Sequence, residues 1–289
     1  MISIFLLTPS QAASDISHYP RMARPSADDR VLIVAPHIDD EAIGAGGYAL
    51  EAIETGAKVF VVFLTAGDCS RISARLMHRK LDPDPADYLA VGRARIAEAR
   101  EAMRIAGIAG ERYFVLGYPD RGLGAIVEHR TETVRSIATG RSAVPYEEAL
   151  TPGAPYCFAS LMRDLERVFD AARPTIVIAP VAFDRHPDHR AAAALVDVAL
   201  ERARSEAARY GYLVHSGWKS LVPLRETSLA PPKRMREMTW AVHPLSTEMQ
   251  SRKETLLQVY RSQGPILPLL RNTFVRANEL FFAPLSMTR

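Results

Sequence analysis

The chain alternates between short apolar runs and longer amphipathic stretches. Apolar runs rich in β-branched residues are typical of strands buried on both faces of a sheet, and they occur at residues 30–36, 58–65, 113–117 and 175–180. Stretches with apolar residues at helical spacing predict helices at residues 47–56, 88–107, 158–173 and 187–203. Strands alternating with helices predict an α/β fold, Rossmann-like, with a mostly parallel sheet and helices on both faces.

Two segments interrupt this alternation. Residues 121–156 contain several Gly and Pro residues with little periodicity, and residues 217–237 contain three prolines. We predict that both are loop insertions in a single domain covering residues 1–289, with residues 1–29 as an N-terminal arm. Long loops in compact domains often act as lids or binding loops.

Composition narrows the class of protein. The 36 basic and 33 acidic residues give a net charge of only +3, spread evenly, which argues against a nucleic-acid partner. No apolar run reaches the roughly 18–20 residues that a membrane span needs. The two cysteines are too few and too far apart for a disulfide framework. An enzyme or a small-molecule binder remains.

The N-terminus bears on localisation. Residues 2–14 contain a short apolar run followed by small residues, a weak match to a signal peptide, but no Lys or Arg precedes the run. We therefore expect a cytoplasmic protein, with export as the alternative.

The first chemically distinctive motif directly follows the first predicted strand. It includes His37, Asp39, Asp40 and Glu41. Ligands of open α/β sheets bind at the carboxyl ends of strands. Consecutive carboxylates repel one another unless a cation or hydrogen bonds neutralise them, and His37 with Asp40 would suit Zn²⁺ or Fe²⁺. An acidic loop leading into a helix N-terminus is the alternative. This motif alone leaves both interpretations open.

A second motif follows the strand predicted at 175–180. It runs from Asp184 to His189 and includes His186, Pro187 and Asp188. Pro187 suits the first position of a helix, which would place His186 and His189 on one helix face because they are three residues apart. Both imidazoles can then face one cleft, and Asp188 can orient one of them. Two His/Asp clusters, each after a predicted parallel strand, favour a shared metal site.

These motifs resemble those of the PIG-L/LmbE-type zinc-dependent N-acetylglucosaminyl deacetylases. The family's first motif is usually Ala/Pro-His-Pro-Asp-Asp-Glu and its second is His-Pro-Asp-His. This chain departs from the pattern only at Ile38, a position that contributes backbone stiffness rather than a ligand atom. Further similarity occurs at Thr65–Gly67, at Arg95 with Glu98, at Gly117–Asp120, and at Lys253 with Tyr260–Gln263.

The resemblance implies a hydrolase that removes an N-acetyl group from an N-acetylglucosamine-type amino sugar or its conjugate. It implies zinc, or alternatively Fe²⁺, held by His37, Asp40 and His189. Three protein ligands with an open position for water are typical of a catalytic zinc site.

The resemblance also implies the proton-transfer residues. Asp39 would be the general base. His186 would be a protonated acid that stabilises the oxyanion or protonates the departing amine. Asp188 would hold that imidazole, and we expect it to raise the pKa of His186.

Three further residues are candidates for substrate binding, each with a simpler alternative. Asp68 and Asp120 follow predicted strands, where a turn-forming role is the alternative. Arg95 can equally form a surface ion pair with Glu98. We predict ordinary polar or half-buried roles outside the site for His129, His215 and His243, and a structural role for Cys69.

Other classes of protein fit the sequence less well than a deacetylase does. The segment Gly44–Ala49 fits a dinucleotide fingerprint, but seven residues, three of them acidic, separate it from the strand, so a tight turn is favoured. No G-x-S-x-G elbow is present. A metal-dependent hydrolase of another bond and a non-catalytic sugar- or metal-binding protein remain alternatives. Asp39 and His186 favour an enzyme, because a mere binder would not need them.

Overall fold

A computed structural model describes residues 16–216 and 228–283. Its described strands form one seven-stranded sheet. They are β1 (Arg30–Ala35), β2 (Lys58–Thr65), β3 (Tyr113–Tyr118), β4 (Ile176–Pro180), β5 (Ala208–Tyr212), β6 (Trp240–Pro244) and β7 (Asn278–Phe282). In the order β3-β2-β1-β4-β5-β7-β6, the first five strands are parallel, and β7 is antiparallel to both neighbours. The predicted mostly parallel α/β sheet is confirmed.

Helices cover both faces of the sheet. They are α1 (Asp40–Glu54), α2 (Arg71–His78), α3 (Pro85–Ala106), α4 (Leu123–Glu128), α5 (Phe158–Ala172), α6 (Pro187–Arg202), α7 (Thr247–Val259) and α8 (Leu267–Phe274). Helix α7 packs on α1 and α3, whereas α6 packs on α4 and α5. Residues 31–35 of the central strand β1 are consequently fully buried. None of the helices in the described part of the chain combines the length and apolarity needed to cross a membrane.

Helix α1 begins at Asp40, seven residues before the predicted start. Its glycines disfavour a helix by up to ~1 kcal/mol each relative to Ala, but they permit close packing. A Cβ atom on Gly44 would lie 2.4 Å from the ring of Tyr212, and one on Gly47 would lie 2.5 Å from Leu245. The segment Gly44–Ala49 therefore lies inside α1, which is kinked at Ala45 (φ −146°), and it packs against side chains. It is neither a nucleotide-binding loop nor the predicted tight turn.

The two predicted loop insertions have different outcomes. Residues 121–156 contain the short helix α4 and otherwise turns and irregular structure. Of residues 217–237, only 228–237 are described, and they include a short 3₁₀ turn at Lys233–Met235. Within the N-terminal arm, Met22 N donates to Val242 O at 2.9 Å. The signal-like stretch, residues 2–14, lies outside the described residues.

Candidate metal centre

The two sequence motifs meet because their strands are neighbours. β1 and β4 pair in parallel, so the chain leaves both strands at the same edge of the sheet. His37 and Asp40 follow β1, and His189 lies in the first turn of α6 after β4. Asp40 Oδ2 lies 3.1 Å from His37 Nδ1 and 3.1 Å from His189 Nε2. Asp40 Oδ2 thus lies within 3.1 Å of a nitrogen of each predicted histidine ligand.

These residues fit a divalent transition metal. Both ring nitrogens of His189 are buried, and neither makes a hydrogen bond of good geometry within the described structure. Two ligand atoms, each about 2.0–2.1 Å from a tetrahedral zinc ion, would be about 3.3 Å apart. The 3.1 Å separations around Asp40 Oδ2 are close to that spacing. Two imidazoles and a carboxylate are ligands that Zn²⁺ and Fe²⁺ accept.

Carboxylates also lie against the opposite nitrogens of both imidazoles. His37 Nε2 is 3.2 Å from Asp188 Oδ2 and 3.4 Å from Asp120 Oδ1. His189 Nδ1 is 3.3 Å from Asp184 Oδ2. A carboxylate on the far nitrogen of a metal-binding histidine fixes the orientation of its ring. Asp188, Asp120 and Asp184 are therefore placed to orient the two histidines.

Buried charge in the cluster is balanced by the histidines. Burial alone would lower the pKa of His37, but Asp120, with Asp188 and Asp40, raises it well above its usual range. Burial likewise opposes protonation of His189, yet Asp40 and Asp184 raise its pKa to about 9. Without a cation, protonated imidazoles therefore neutralise the carboxylates. A bound metal would take over that role.

Asp39 occupies an unusual backbone position beside these ligands. It precedes α1 with a φ of 116°, and it is 5 % exposed. Its carboxylate accepts a hydrogen bond from Gln263 Nε2. Burial, and then the charge of Asp40, raise the pKa of Asp39 well above its usual range. A buried carboxylate with increased proton affinity is suited to act as a base.

Asp188 contacts different groups from those predicted. Its Oδ2 accepts from Arg121 N at 2.6 Å and faces His37, and its Oδ1 accepts from Leu123 N at 3.1 Å. Only its backbone N–H meets His186, donating to Nδ1 at 3.2 Å. The prediction that its carboxylate holds the His186 imidazole is therefore wrong.

The predicted pKa of His186 is also wrong in direction. Burial and the neighbouring charge of His37 lower this pKa to about 4, outweighing the opposing effect of Asp188. The ring nevertheless lies at the site, with its centroid 4.7 Å from that of His37. A neutral His186 is the form that this environment favours near pH 7.

The two candidate aspartates for substrate binding both lie at this end of the sheet. Asp120 faces His37, and its Oδ2 accepts from Cys69 N at 2.9 Å. Asp68 accepts from Tyr146 Oη at 2.5 Å. Burial, and then the charge of Asp120, raise the pKa of Asp68 to about 7. Asp68 and Asp120 therefore form one polar side of the candidate metal centre, which we call the polar wall.

Arg95 extends from α3 to the same wall. It is 5 % exposed, and it lies so close to Gly67 that a Cβ there would be 2.3 Å from its Nη1. Glu98, its alternative partner, instead accepts from Ser262 N at 2.8 Å and from Ser262 Oγ at 2.6 Å. Burial of Arg95 favours the site role over the surface ion pair.

Two residues of the site were not predicted. Asp184 accepts backbone N–H bonds from His186 at 2.8 Å and from His215 at 3.0 Å, besides facing His189. The ring of His215 lies 4.5 Å from that of His189, so its predicted place outside the site is wrong. Asp184 lies two residues before His186 in the sequence, so its place in the second motif could have indicated a role at the site. His215 follows β5, a strand that the pattern did not reveal.

The positions of His129 and His243 are consistent with the ordinary polar roles predicted for them. His129 ends α4 and is exposed. His243 is buried on β6, where its Nε2 lies 2.9 Å from Glu51. Both Cys69 and Cys157 are free thiols.

The fold and this cluster define an α/β protein with a candidate metal centre at the carboxyl ends of its parallel strands. A profile described as PIG-L, GlcNAc-PI de-N-acetylase, matches residues 32–200, more than half of the chain. The chain belongs to the PIG-L family.

Comparisons with curated proteins give a similar result. The chain is 31 % identical over 183 residues to the 1D-myo-inositol 2-acetamido-2-deoxy-alpha-D-glucopyranoside deacetylase of Kribbella flavida. That alignment covers 62 % of this chain and 56 % of the relative. The chain thus spans little more than half the length of this relative.

Solved structures share the fold at lower identity. The N,N'-diacetylchitobiose deacetylase of Pyrococcus horikoshii aligns with a TM-score of 0.54 at 20 % identity, over 89 % of this chain and 85 % of that one. The 4-carboxy-2-hydroxymuconate hydratase of Pseudomonas putida aligns with a TM-score of 0.50 at 19 % identity, over 83 % and 82 %. Proteins with different named reactions thus share this fold, so the reaction has to be argued from the site.

Proposed function

We propose that the protein is a zinc-dependent hydrolase that removes the N-acetyl group from an N-acetylglucosamine-type amino sugar or its conjugate. The observation that carries the proposal is the position of Asp40 Oδ2, 3.1 Å from a nitrogen of His37 and 3.1 Å from one of His189. Membership of the PIG-L family, and a relative named as a deacetylase of a 2-acetamido sugar, support the choice of bond.

His37, Asp40 and His189 would hold the ion. When bound, such an ion supplies Lewis acidity, which acidifies water towards a pKa of about 7. Asp39 accepts the proton of the water that attacks the acetamide carbonyl. The carbon–nitrogen bond then breaks, and the protonated Asp39 returns the proton to the departing amine. The products are acetate and a free amine. A single buried carboxyl group can do both steps because its pKa is raised.

His186 would act as a neutral hydrogen-bond donor. Its Nδ1 accepts the backbone N–H of Asp188, so a neutral ring carries its proton on Nε2. That N–H can stabilise the negative charge that develops on the carbonyl oxygen. This role differs from the protonated acid expected from the sequence, and the burial of His186, which lowers its pKa, supports it.

The substrate would be recognised by the polar wall. Asp68 and Asp120, which follow β2 and β3, offer hydrogen-bond acceptors, and Arg95 on α3 offers a cation, a set that suits the hydroxyl groups of a sugar. The Kribbella flavida relative is named for a sugar conjugated to inositol. We therefore propose a glycosidic conjugate of N-acetylglucosamine as the substrate class.

The test is a screen of zinc-loaded protein against a panel of N-acetylglucosamine conjugates, with free amine and acetate measured together. The panel includes a phosphoester and a peptide, so that hydrolysis of another bond is detected. The proposal predicts equal amounts of amine and acetate from at least one conjugate. Asp39→Asn should keep the zinc and lose about 10²–10⁴-fold in rate. Cleavage of the phosphoester or the peptide alone would replace the proposed reaction. A panel without turnover would favour a binding protein.

A further inference from the structure

Three consecutive carboxylates at the start of α1 are buried, and each meets a different partner. Asp40 faces the imidazoles. Asp39 accepts from the side-chain amide of Gln263, and Glu41 accepts from the hydroxyl of Tyr260. The last two partners come from a single turn directly after α7. This turn, residues 260–263, therefore reaches both acids that flank the candidate ligand.

The fold fixes the turn independently of these acids. Ser262 donates through its N and Oγ atoms to Glu98 on α3, and its carbonyl accepts from Ser73 Oγ on α2 at 2.7 Å. Gly264, with a φ of 51°, interrupts the helical conformation immediately afterwards, in a conformation that suits glycine. The amide of Gln263 is thus presented from a rigid support.

The carboxylate of Asp39 needs a partner from elsewhere in the fold, because the backbone next to Asp39 does not hold it in place. A non-glycine residue with a φ of 116° is uncommon, and such positions persist only where the surroundings over-determine them. An aspartate preceding a helix usually caps it by accepting a backbone N–H, yet the carboxylate of Asp39 makes no such bond. It accepts from Gln263 instead.

We propose that Gln263 is a positioning residue for Asp39, an inference that rests on the hydrolysis proposed above. Its amide is a neutral donor, so it fixes the orientation of the carboxylate through a hydrogen bond. Tyr260 assists by holding Glu41, whose Oε2 in turn accepts from Asp39 N at 3.2 Å. Gln263 itself does not react. It keeps the carboxylate of Asp39 directed at the water.

The kinetic test is Gln263→Leu, which removes the donor at similar size. We expect kcat to fall by about 10- to 100-fold, the order of loss that small misplacement causes, with KM and zinc content within about twofold of the parent. Gln250→Leu is the matched control, because it also removes a side-chain amide donor, here one on α7 that donates to Leu245 O at 3.0 Å. An unchanged kcat, or a loss confined to KM or zinc content, would overturn the proposal.

A second readout does not depend on turnover. In a double-mutant cycle of thermal unfolding, Gln263→Leu should lower the Tm of the parent and have less than half that effect in Asp39→Ala, because the contact is already absent there. Equal shifts in both backgrounds would overturn the contact. If the parent hydrolyses no acetamide, the proposed function fails, whereas this cycle still decides whether Gln263 holds Asp39. Gln263→Met replaces the leucine variant if that variant does not fold.

Discussion

Asp184→Asn should weaken metal binding although this residue is not a proposed ligand. The Asp184 carboxylate lies 3.3 Å from Nδ1 of His189, the ring nitrogen opposite the one facing Asp40. Carboxylates in this position orient the ring and increase its basicity, and their loss typically costs 10- to 100-fold in metal affinity. That range corresponds to about 1.4–2.7 kcal/mol.

The substitution also disturbs the local backbone. Asp184 accepts N–H bonds from His186, Val214 and His215 with both of its oxygens. Asparagine replaces one oxygen with an amino group, so at least one buried N–H loses its acceptor, at a cost of about 1–3 kcal/mol in unfolding free energy. A lower Tm should therefore accompany the weaker binding.

The assay is a calorimetric titration of zinc into chelator-stripped protein. Asp197→Asn is the matched control. Asp197 lies on α6, is half-exposed and pairs with Arg209 at 3.0 Å. We expect the control to bind zinc like the parent. Parental zinc affinity in a folded Asp184→Asn variant would refute the orienting role of Asp184.

Two further predictions concern protons and packing. Zinc must displace the proton that His189 carries below its raised pKa of about 9, so affinity should rise with pH up to about that value. Titrations at pH 7 in buffers of different ionisation enthalpy should show proton release, and none would contradict the prediction. Gly44→Ala should destabilise the fold by about 1–3 kcal/mol, because its Cβ would lie 2.4 Å from the buried ring of Tyr212. Gly110→Ala, with open space around the new Cβ, is the control, and equal Tm values for the two variants would count against this packing argument.

The sequence predicted the parts of the fold that have strong local patterns. The four strands predicted from apolar runs all lie in the parallel part of the sheet, where both faces are covered. Strand β5 was missed because its first three residues are only partly buried, which removes the continuous apolar signal. Strands β6 and β7 pair antiparallel across more than 30 residues, and a window of local sequence carries no information about such pairing.

The residues of the candidate site likewise fall into those that a local motif indicates and those that it does not. His37, Asp40 and His189 could be named as candidate ligands because they belong to two distinctive motifs after recognisable strands, and those motifs resemble the family's. The partner of Asp188 could not, because a motif gives spacing but not side-chain direction, and its carboxylate turns to His37 rather than to His186. Residues that reach the site from distant elements were also missed or left without a role. They are His215 after β5 and Gln263 after α7.

The position of the metal in the zinc-loaded protein tests the central claim most directly. Anomalous diffraction at the zinc edge should place one ion about 2.0–2.2 Å from a carboxylate oxygen of Asp40 and from a ring nitrogen each of His37 and His189, with Asp39 outside bonding distance. An ion held instead by Asp120 with Asp188, or by another set that leaves Asp40 free, would contradict the account.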